Sequence, residues 1–396
     1  MPVSSGQIKA LLEQKRSAFS YFNRASSDLL KTYQQAWVDF ARLDYPQRQD
    51  LLAPLTSPVG AQPVEMATDA DQGIISFFFS ESAPARERWS NRQESAQWVQ
   101  EILADITTFA VDGSQISPGK DLSIPLALIQ IGWFENPHSK TRPYQKDVRL
   151  DLMTPTDLGP NPAQPVERRV NIRRFELEVE RLVEYINGCS EPQRSLVFFD
   201  GALVVTFAEA FDQDSQQAYI KAMLKLLEAS ERRRVPLVGY VDTSYARDLV
   251  SLLQNFYGLE PTEGIHDAQL LAPLMHWGDR TTIFRCDRGG ILDQYDHHRD
   301  LITFTYLKTT RDGYPVRLEM PLWMGEGGHI SRYLNWVRGE VIIGGGYPYG
   351  IETADQTAVL QGQDRQIFYR VLQDWADQEA VNLRLSRKMV SKHRRR

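Results

Sequence analysis

Only two cysteines, Cys189 and Cys286, occur in 396 residues. That is too few for a disulfide framework or a thiolate zinc site, and it predicts a reducing, cytoplasmic setting. No apolar run approaches the length that spans a bilayer, so no membrane association is expected. The opening MPVSSGQIKALLEQKRS has neither the apolar core nor the small-residue cleavage site of a secretion signal. No Gly-rich stretch is followed by Lys-Ser or Lys-Thr, so the chain offers no phosphate-binding loop for ATP. Histidines are also sparse. His297 and His298 are adjacent, would face opposite sides of a strand, and repeat no ligand spacing, so no separate zinc site is predicted.

What is present describes a soluble globular chain, 42% hydrophobic and 24% charged. The net charge is −6, but it is unevenly distributed. Arg384–Arg396 carries seven Lys or Arg residues and no acid, leaving 38 basic against 51 acidic residues elsewhere, a balance of −13. An acidic body resists indiscriminate coating of nucleic acid, so phosphates would bind only in a local channel.

The pattern divides into an N-terminal helical region (1–104), a central domain (105–375) and a basic tail (376–396). In the centre, 108–116, 124–134 and 147–153 read as strands, followed by a helix over 170–186. A continuous apolar strand over 195–205 suits the middle of a sheet. A helix over 214–229, a strand over 236–241 and a helix over 246–256 complete the run. Three strands, helix, strand, helix, strand, helix is the order of an RNase H-like α/β fold, a mixed sheet flanked by helices. Further strands at 281–286, 301–308 and 316–323 read as a β-rich insertion near 260–340. A helix over 353–375 closes the domain.

Two signatures carry chemistry: VDGSQ (Val111–Gln115) and FDGAL (Phe199–Leu203). Each sets an aspartate in or at the end of an apolar strand and follows it with glycine. Alone, Asp-Gly is an ordinary turn signal. In this fold order the first and fourth strands are parallel neighbours, which would bring Asp112 and Asp200 together. Two such carboxylates repel and resist burial unless a divalent cation joins them. On the intervening helix, Glu176 and Glu178 lie at the two edges of the apolar face, with Glu176 favoured and Glu178 the alternative. Asp355 is a fourth candidate. An all-carboxylate set suits Mn²⁺ or Mg²⁺ and two-metal hydrolysis of phosphodiesters.

These segments resemble, in order, the motifs of the NurA nucleases: VDGSQ the first, FFDGAL the second, GYVDTSYARDLV (Gly239–Val250) the third and YPYGIETADQTAV (Tyr347–Val359) the last. The resemblance implies Asp112, a helix glutamate, Asp200 and Asp355 as metal ligands, with Tyr347 in the site. It implies a Mn²⁺-dependent single-strand DNA endonuclease and 5′-to-3′ exonuclease, a homodimeric ring, and a HerA-type hexameric translocase as partner in end resection of double-strand breaks. Two positions depart from the pattern: Asp355 stands where family members often carry histidine, and Asp242 where they often carry lysine. Arg247 could supply that cation. The rival reading is a catalytically silent RNase H-like adaptor, and carboxylate chemistry alone does not select DNA over RNA.

Overall fold

The structure is a computed structural model that describes residues 4–56, 58–64, 73–78, 89, 91–119, 122–159 and 164–384, the side chains of 20–26 apart. The basic tail beyond 384 lies outside the described residues. The chain forms two compact units. One comprises 1–88, 242–288 and 304–317, and the other 89–241, 289–303 and 318–396.

The second unit holds the carboxylates. Its elements are α1 (Arg92–Leu103), β1 (Thr107–Ile116), β2 (Ala127–Asn136), β3 (Gln145–Met153), α2 (Val166–Gly188), β4 (Ser195–Asp200), α3 (Gln213–Arg233), β5 (Leu237–Val241), α4 (Ile330–Ile343), α5 (Tyr349–Ala358) and α6 (Gly362–Gln378). The strands lie in the order β5-β4-β1-β2-β3. Strand β2 runs antiparallel to both β1 and β3, whereas β1, β4 and β5 are mutually parallel. This is the mixed sheet of an RNase H-like fold.

Burial explains the order. Strand β4 (SLVFFD) is buried from Ser195 through Phe199, as a central parallel strand must be. Helix α2 turns Val170, Ile172, Phe175, Val179, Leu182 and Ile186 inward. Tyr185 from this face stacks on Phe109 of β1 with ring centroids 4.0 Å apart. Helix α3 packs beside α2 and buries Tyr219, Ile220, Met223, Leu226 and Leu227.

Two expected elements differ. The strand expected over 195–205 ends at Asp200, because Gly201 adopts φ +140°. The amides of Val204 and Val205 then donate to Glu319 and the Tyr295 hydroxyl instead of to a neighbouring strand. The single helix expected over 353–375 is two helices. Gln361 opens α6 with a reciprocal cap to Asp364, and the Leu360 amide donates to Ser114 Oγ at 3.1 Å, which breaks the run.

In the first unit the helix Arg16–Arg42 buries Tyr33, Trp37 and Phe40, with Trp37 against Phe284 and Phe40 edge-on to Phe256. Strand Gly60–Pro63 pairs antiparallel with Phe284–Asp287. At the start of helix Asp248–Tyr257, the buried Asp248 carboxylate accepts from Arg288 (2.9 and 2.8 Å) and Arg317 (2.8 Å). The Arg317 guanidinium also lies 3.8 Å from the centre of the Phe304 ring. Among the described residues, no helix is long and apolar enough to cross a membrane.

Candidate active site

Strand register brings the two Asp-Gly signatures level. Strands β1 and β4 pair with Thr107 opposite Ser195 through Ala110 opposite Phe198, and the same offset sets Asp112 opposite Asp200. Strand β4 stops at Asp200 while β1 continues to Ile116. The carboxylates therefore sit where the sheet opens, and side chains from both of its faces can converge there.

The glycine after Asp112 has a specific role. Side chains alternate along a strand, so Gly113 faces α2 while Asp112 faces the other side. A Cβ at Gly113 would lie 2.4 Å from Glu178 Oε1 and 2.8 Å from Arg174 Cγ. The missing side chain lets Glu178 descend onto the sheet beside Asp112. Arg174, one turn earlier, donates to the Gly113 carbonyl at 2.8 Å and places its Nε 3.6 Å from Glu178 Oε1. That separation lacks hydrogen-bond geometry, and both atoms are buried without a hydrogen-bond partner among the described residues.

From the opposite face, α5 carries Asp355. This helix is clamped at both ends. At its start, the fully buried Glu340 accepts from the Gly350 amide (2.8 Å), Thr108 Oγ1 (2.8 Å) and His138 Nε2 (3.0 Å). At its end, Gln130 Nε2 and Ser114 Oγ donate to the Ala358 carbonyl. Gly132, directly opposite Asp112 on β2, lets the helix approach, since a Cβ there would fall 2.6 Å from the Ala358 nitrogen. In this position Asp355 shares a hydrogen bond with Asp112. Tyr347, just before α5, donates its hydroxyl to Asp200 Oδ1 at 3.0 Å and sets its ring edge-on to Tyr240.

The electrostatics follow. Burial, reinforced by the hydrogen bond that the protonated Asp112 carboxyl donates to Asp355 and by the charges of Asp200 and Asp355, pushes the Asp112 carboxyl up to about 6, against the Gly113 amide that stabilises its charge. Burial also drives Glu178 up to about 8, helped by the charges of Asp112 and Asp200 and opposed by Arg174. Without a cation Asp112 and Glu178 resist ionisation. A buried, unpartnered carboxylate oxygen beside the carboxylates of Asp112 and Asp200 is a donor set that fits a hard divalent metal ion.

Of the two glutamates raised by the sequence, the structure brings Glu178 to the aspartates and sends Glu176, the favoured one, elsewhere. Glu176 lies 3.6 Å from Arg173, which also binds Asp151 of β3 and Glu180, and it lines a shallow surface cleft with Asp151 and Arg169. Two residues along a helix are about 200° around its axis, so only one of the pair can face the open end of the sheet. Arg247 belongs to the first unit, where it donates to the Thr262 carbonyl at 3.2 Å. The cation that accompanies the carboxylates is Arg174, which the sequence reading missed. Its signal was available, because it precedes Glu178 by four residues on the same helical face.

The sequence profile of the NurA domain matches residues 106–360. No curated protein sequence matches the chain significantly. Among solved structures, the chain is similar to NurA with manganese at 11% identity and a TM-score of 0.41, over 73% of this chain and 94% of that one. It is similar to NurA bound to dAMP and manganese at 9% identity and a TM-score of 0.34, over 66% and 86%. The catalytic domain of human Endonuclease V matches at 12% identity and a TM-score of 0.34, over 71% and 95%. With the profile spanning well over half of the 396 residues, from before Asp112 to beyond Asp355, the chain belongs to the NurA family of nucleases.

Proposed function

We propose that Asp112, Asp200, Glu178 and Asp355 hold divalent cations, Mn²⁺ or Mg²⁺, and that the site hydrolyses DNA phosphodiesters. The observation that carries this reading is that Asp112 of β1 interacts with Asp200 of β4 and Asp355 of α5, while an orphaned Glu178 oxygen of α2 lies in the field of Asp112 and Asp200. Bound metal would lower the pKa of a water and neutralise charge on the scissile phosphate. The chain's own residues supply positioning. The Tyr347 hydroxyl holds Asp200 in one orientation, Arg174 fixes the strand through the Gly113 carbonyl, and the clamps on α5 hold Asp355 over Asp112. Asp200 and Asp355 are exposed, so a phosphate approaches from their side while Glu178 closes the floor.

Family membership supports single-strand endonuclease and 5′-to-3′ exonuclease activity in double-strand break repair, in the cytoplasm. A site without an ATP-binding motif would depend on a partner for movement along DNA, and a HerA-type hexameric translocase fits that need. A second copy of the chain is the partner inferred for the apolar residues Val148, Leu150 and Leu152 on the outermost strand β3, and for Ile367, Val371 and Trp375 along α6.

Cleavage of end-labelled single- and double-stranded DNA tests the reading. Hydrolysis in Mn²⁺ should stop in EDTA and in Asp112→Asn and Glu178→Gln, and persist in Glu176→Gln. Full activity in Asp112→Asn would overturn it. Silence of the wild type, alone and with the translocase, would favour the adaptor.

A further inference from the structure

A second cluster of ligating side chains lies at the other end of the same unit. Strand β4 delivers Asp200 at its C-terminal end, and α3 then runs back alongside to finish at Arg233, just before β5 begins. Glu231, in the last turn of α3, therefore stands at the end of the sheet opposite the carboxylates. His297 and His298 join it from the turn Asp296–Asp300.

The strand geometry expected for these histidines does not form. The segment is pinned at the fully buried Tyr295, whose hydroxyl donates to the Leu203 carbonyl and accepts from the Val205 amide, both at 2.9 Å. Asp296 then adopts φ +49°, and a 3₁₀ turn follows. Successive residues of a 3₁₀ turn are about 120° apart, unlike the opposed pair of a strand. The two imidazoles accordingly come together, with ring centroids 3.9 Å apart at 44°.

One nitrogen of each ring and a Glu231 oxygen all lie within 4.8 Å of one another. The His298 side chain is only 3% exposed, yet neither of its ring nitrogens has a hydrogen-bond partner among the described residues. Glu231 Oε2 is 3.4 Å from His298 Nε2, at ion-pair distance but without hydrogen-bond geometry. Burying an imidazole with both nitrogens unsatisfied is costly, so this arrangement calls for a ligand. Nearby cations have other partners: Arg299 binds Asp293 and Asp300, Arg232 binds Asn187, and Arg233 binds the Cys189 carbonyl.

We propose that His297, His298 and Glu231 form a transition-metal site for a late first-row divalent ion of the zinc class. Two imidazoles and one carboxylate are the ligands of such an ion, whereas Mg²⁺ and Mn²⁺ favour all-oxygen sites. Tetrahedral bonds of about 2.1 Å place ligand atoms about 3.4 Å apart. His297 is exposed and Glu231 half-buried, so both can close the remaining gap around the fixed His298. Water on the exposed side completes the coordination. Because the three ligands join α3 to the turn after Tyr295, bound metal staples that turn to the helix.

The test uses the full chain carrying Asp112→Asn and Asp200→Asn, which removes the carboxylate site as a competing sink. After dialysis against chelator, Zn²⁺ is titrated by calorimetry and Co²⁺ by visible absorption. One Zn²⁺ per chain is expected, together with Co²⁺ bands of a nitrogen-ligated four-coordinate ion that excess Mn²⁺ leaves in place. Adding His297→Ala, which removes an exposed side chain and no core packing, should weaken Zn²⁺ binding at least about tenfold, and Glu231→Gln should do likewise. No Zn²⁺ uptake, or unchanged affinity in both added variants, would overturn the site. Cleavage activity is not the readout, so failure here leaves the nuclease reading standing.

Discussion

Replacing Glu178 by glutamine should make the metal-free protein more stable while abolishing its chemistry. Burial raises this carboxyl from its ordinary 4.5 to about 8, and the side chain is only 13% exposed, so solvent screens it little. The sign follows from linkage. Below pH 4.5 the group is protonated in both the folded and the unfolded chain and contributes no difference. Between 4.5 and about 8 the unfolded chain ionises while the folded one stays protonated, so stability falls as pH rises. At about 1.4 kcal/mol per pH unit, the loss at pH 7 is roughly 3 kcal/mol, and Asp112, raised to about 6, adds to it in the same direction. Urea denaturation in EDTA at pH 5 and pH 8, for wild type and Glu178→Gln, measures the effect. The wild type should weaken markedly across that interval, the variant much less, and Mn²⁺ should stabilise the wild type alone. Equal pH dependence in the two proteins would refute the claim that Glu178 is buried against its charge.

Gly132→Ala should force α5 off the sheet, because a Cβ there meets backbone atoms at 2.6–2.9 Å. About 1–3 kcal/mol of stability and about 100-fold in cleavage rate should be lost. Gly188→Ala, with no atom within 4 Å of the added methyl, serves as the control and should leave both unchanged or improve stability slightly. Tyr347→Phe removes the 3.0 Å hydrogen bond to Asp200, which is exposed, so unfolding should shift by about 1 kcal/mol or less while the cleavage rate falls at saturating DNA. Unchanged cleavage would dismiss Tyr347 as a positioning residue. In the first unit, Asp248→Ala takes the carboxylate from two guanidiniums, one of them, Arg317, only 1% exposed. A loss of about 3–5 kcal/mol in denaturation is expected.

How much could be read in advance varied with how local the cause was. The core strands were plain in the sequence because SLVFF is apolar throughout and because Thr107–Ile116 precedes a second long apolar strand. The level placement of Asp112 and Asp200 followed from strand order, which short-range pattern supports. The choice between Glu176 and Glu178 did not, since both edges of α2 look alike in one dimension. It was decided by Gly113 beneath one edge and Arg173 with Asp151 beneath the other. The break between α5 and α6 depends on Ser114, 246 residues from the Leu360 amide it receives. The meeting of His297 and His298 on one side of a 3₁₀ turn is not legible in the sequence, because Tyr295 pins that backbone through Leu203 and Val205, some ninety residues away.

The double clamp on α5 also has a consequence in time. A ribosome releases the chain from its N-terminus, so Asp112, Glu178 and Asp200 emerge while Asp355 is still unmade. Glu340, which receives the head of α5, and Ala358, which receives Ser114 and Gln130 at its foot, are both made more than a hundred residues after Asp200. A nascent or prematurely terminated chain therefore carries three carboxylates and no lid to bring the fourth.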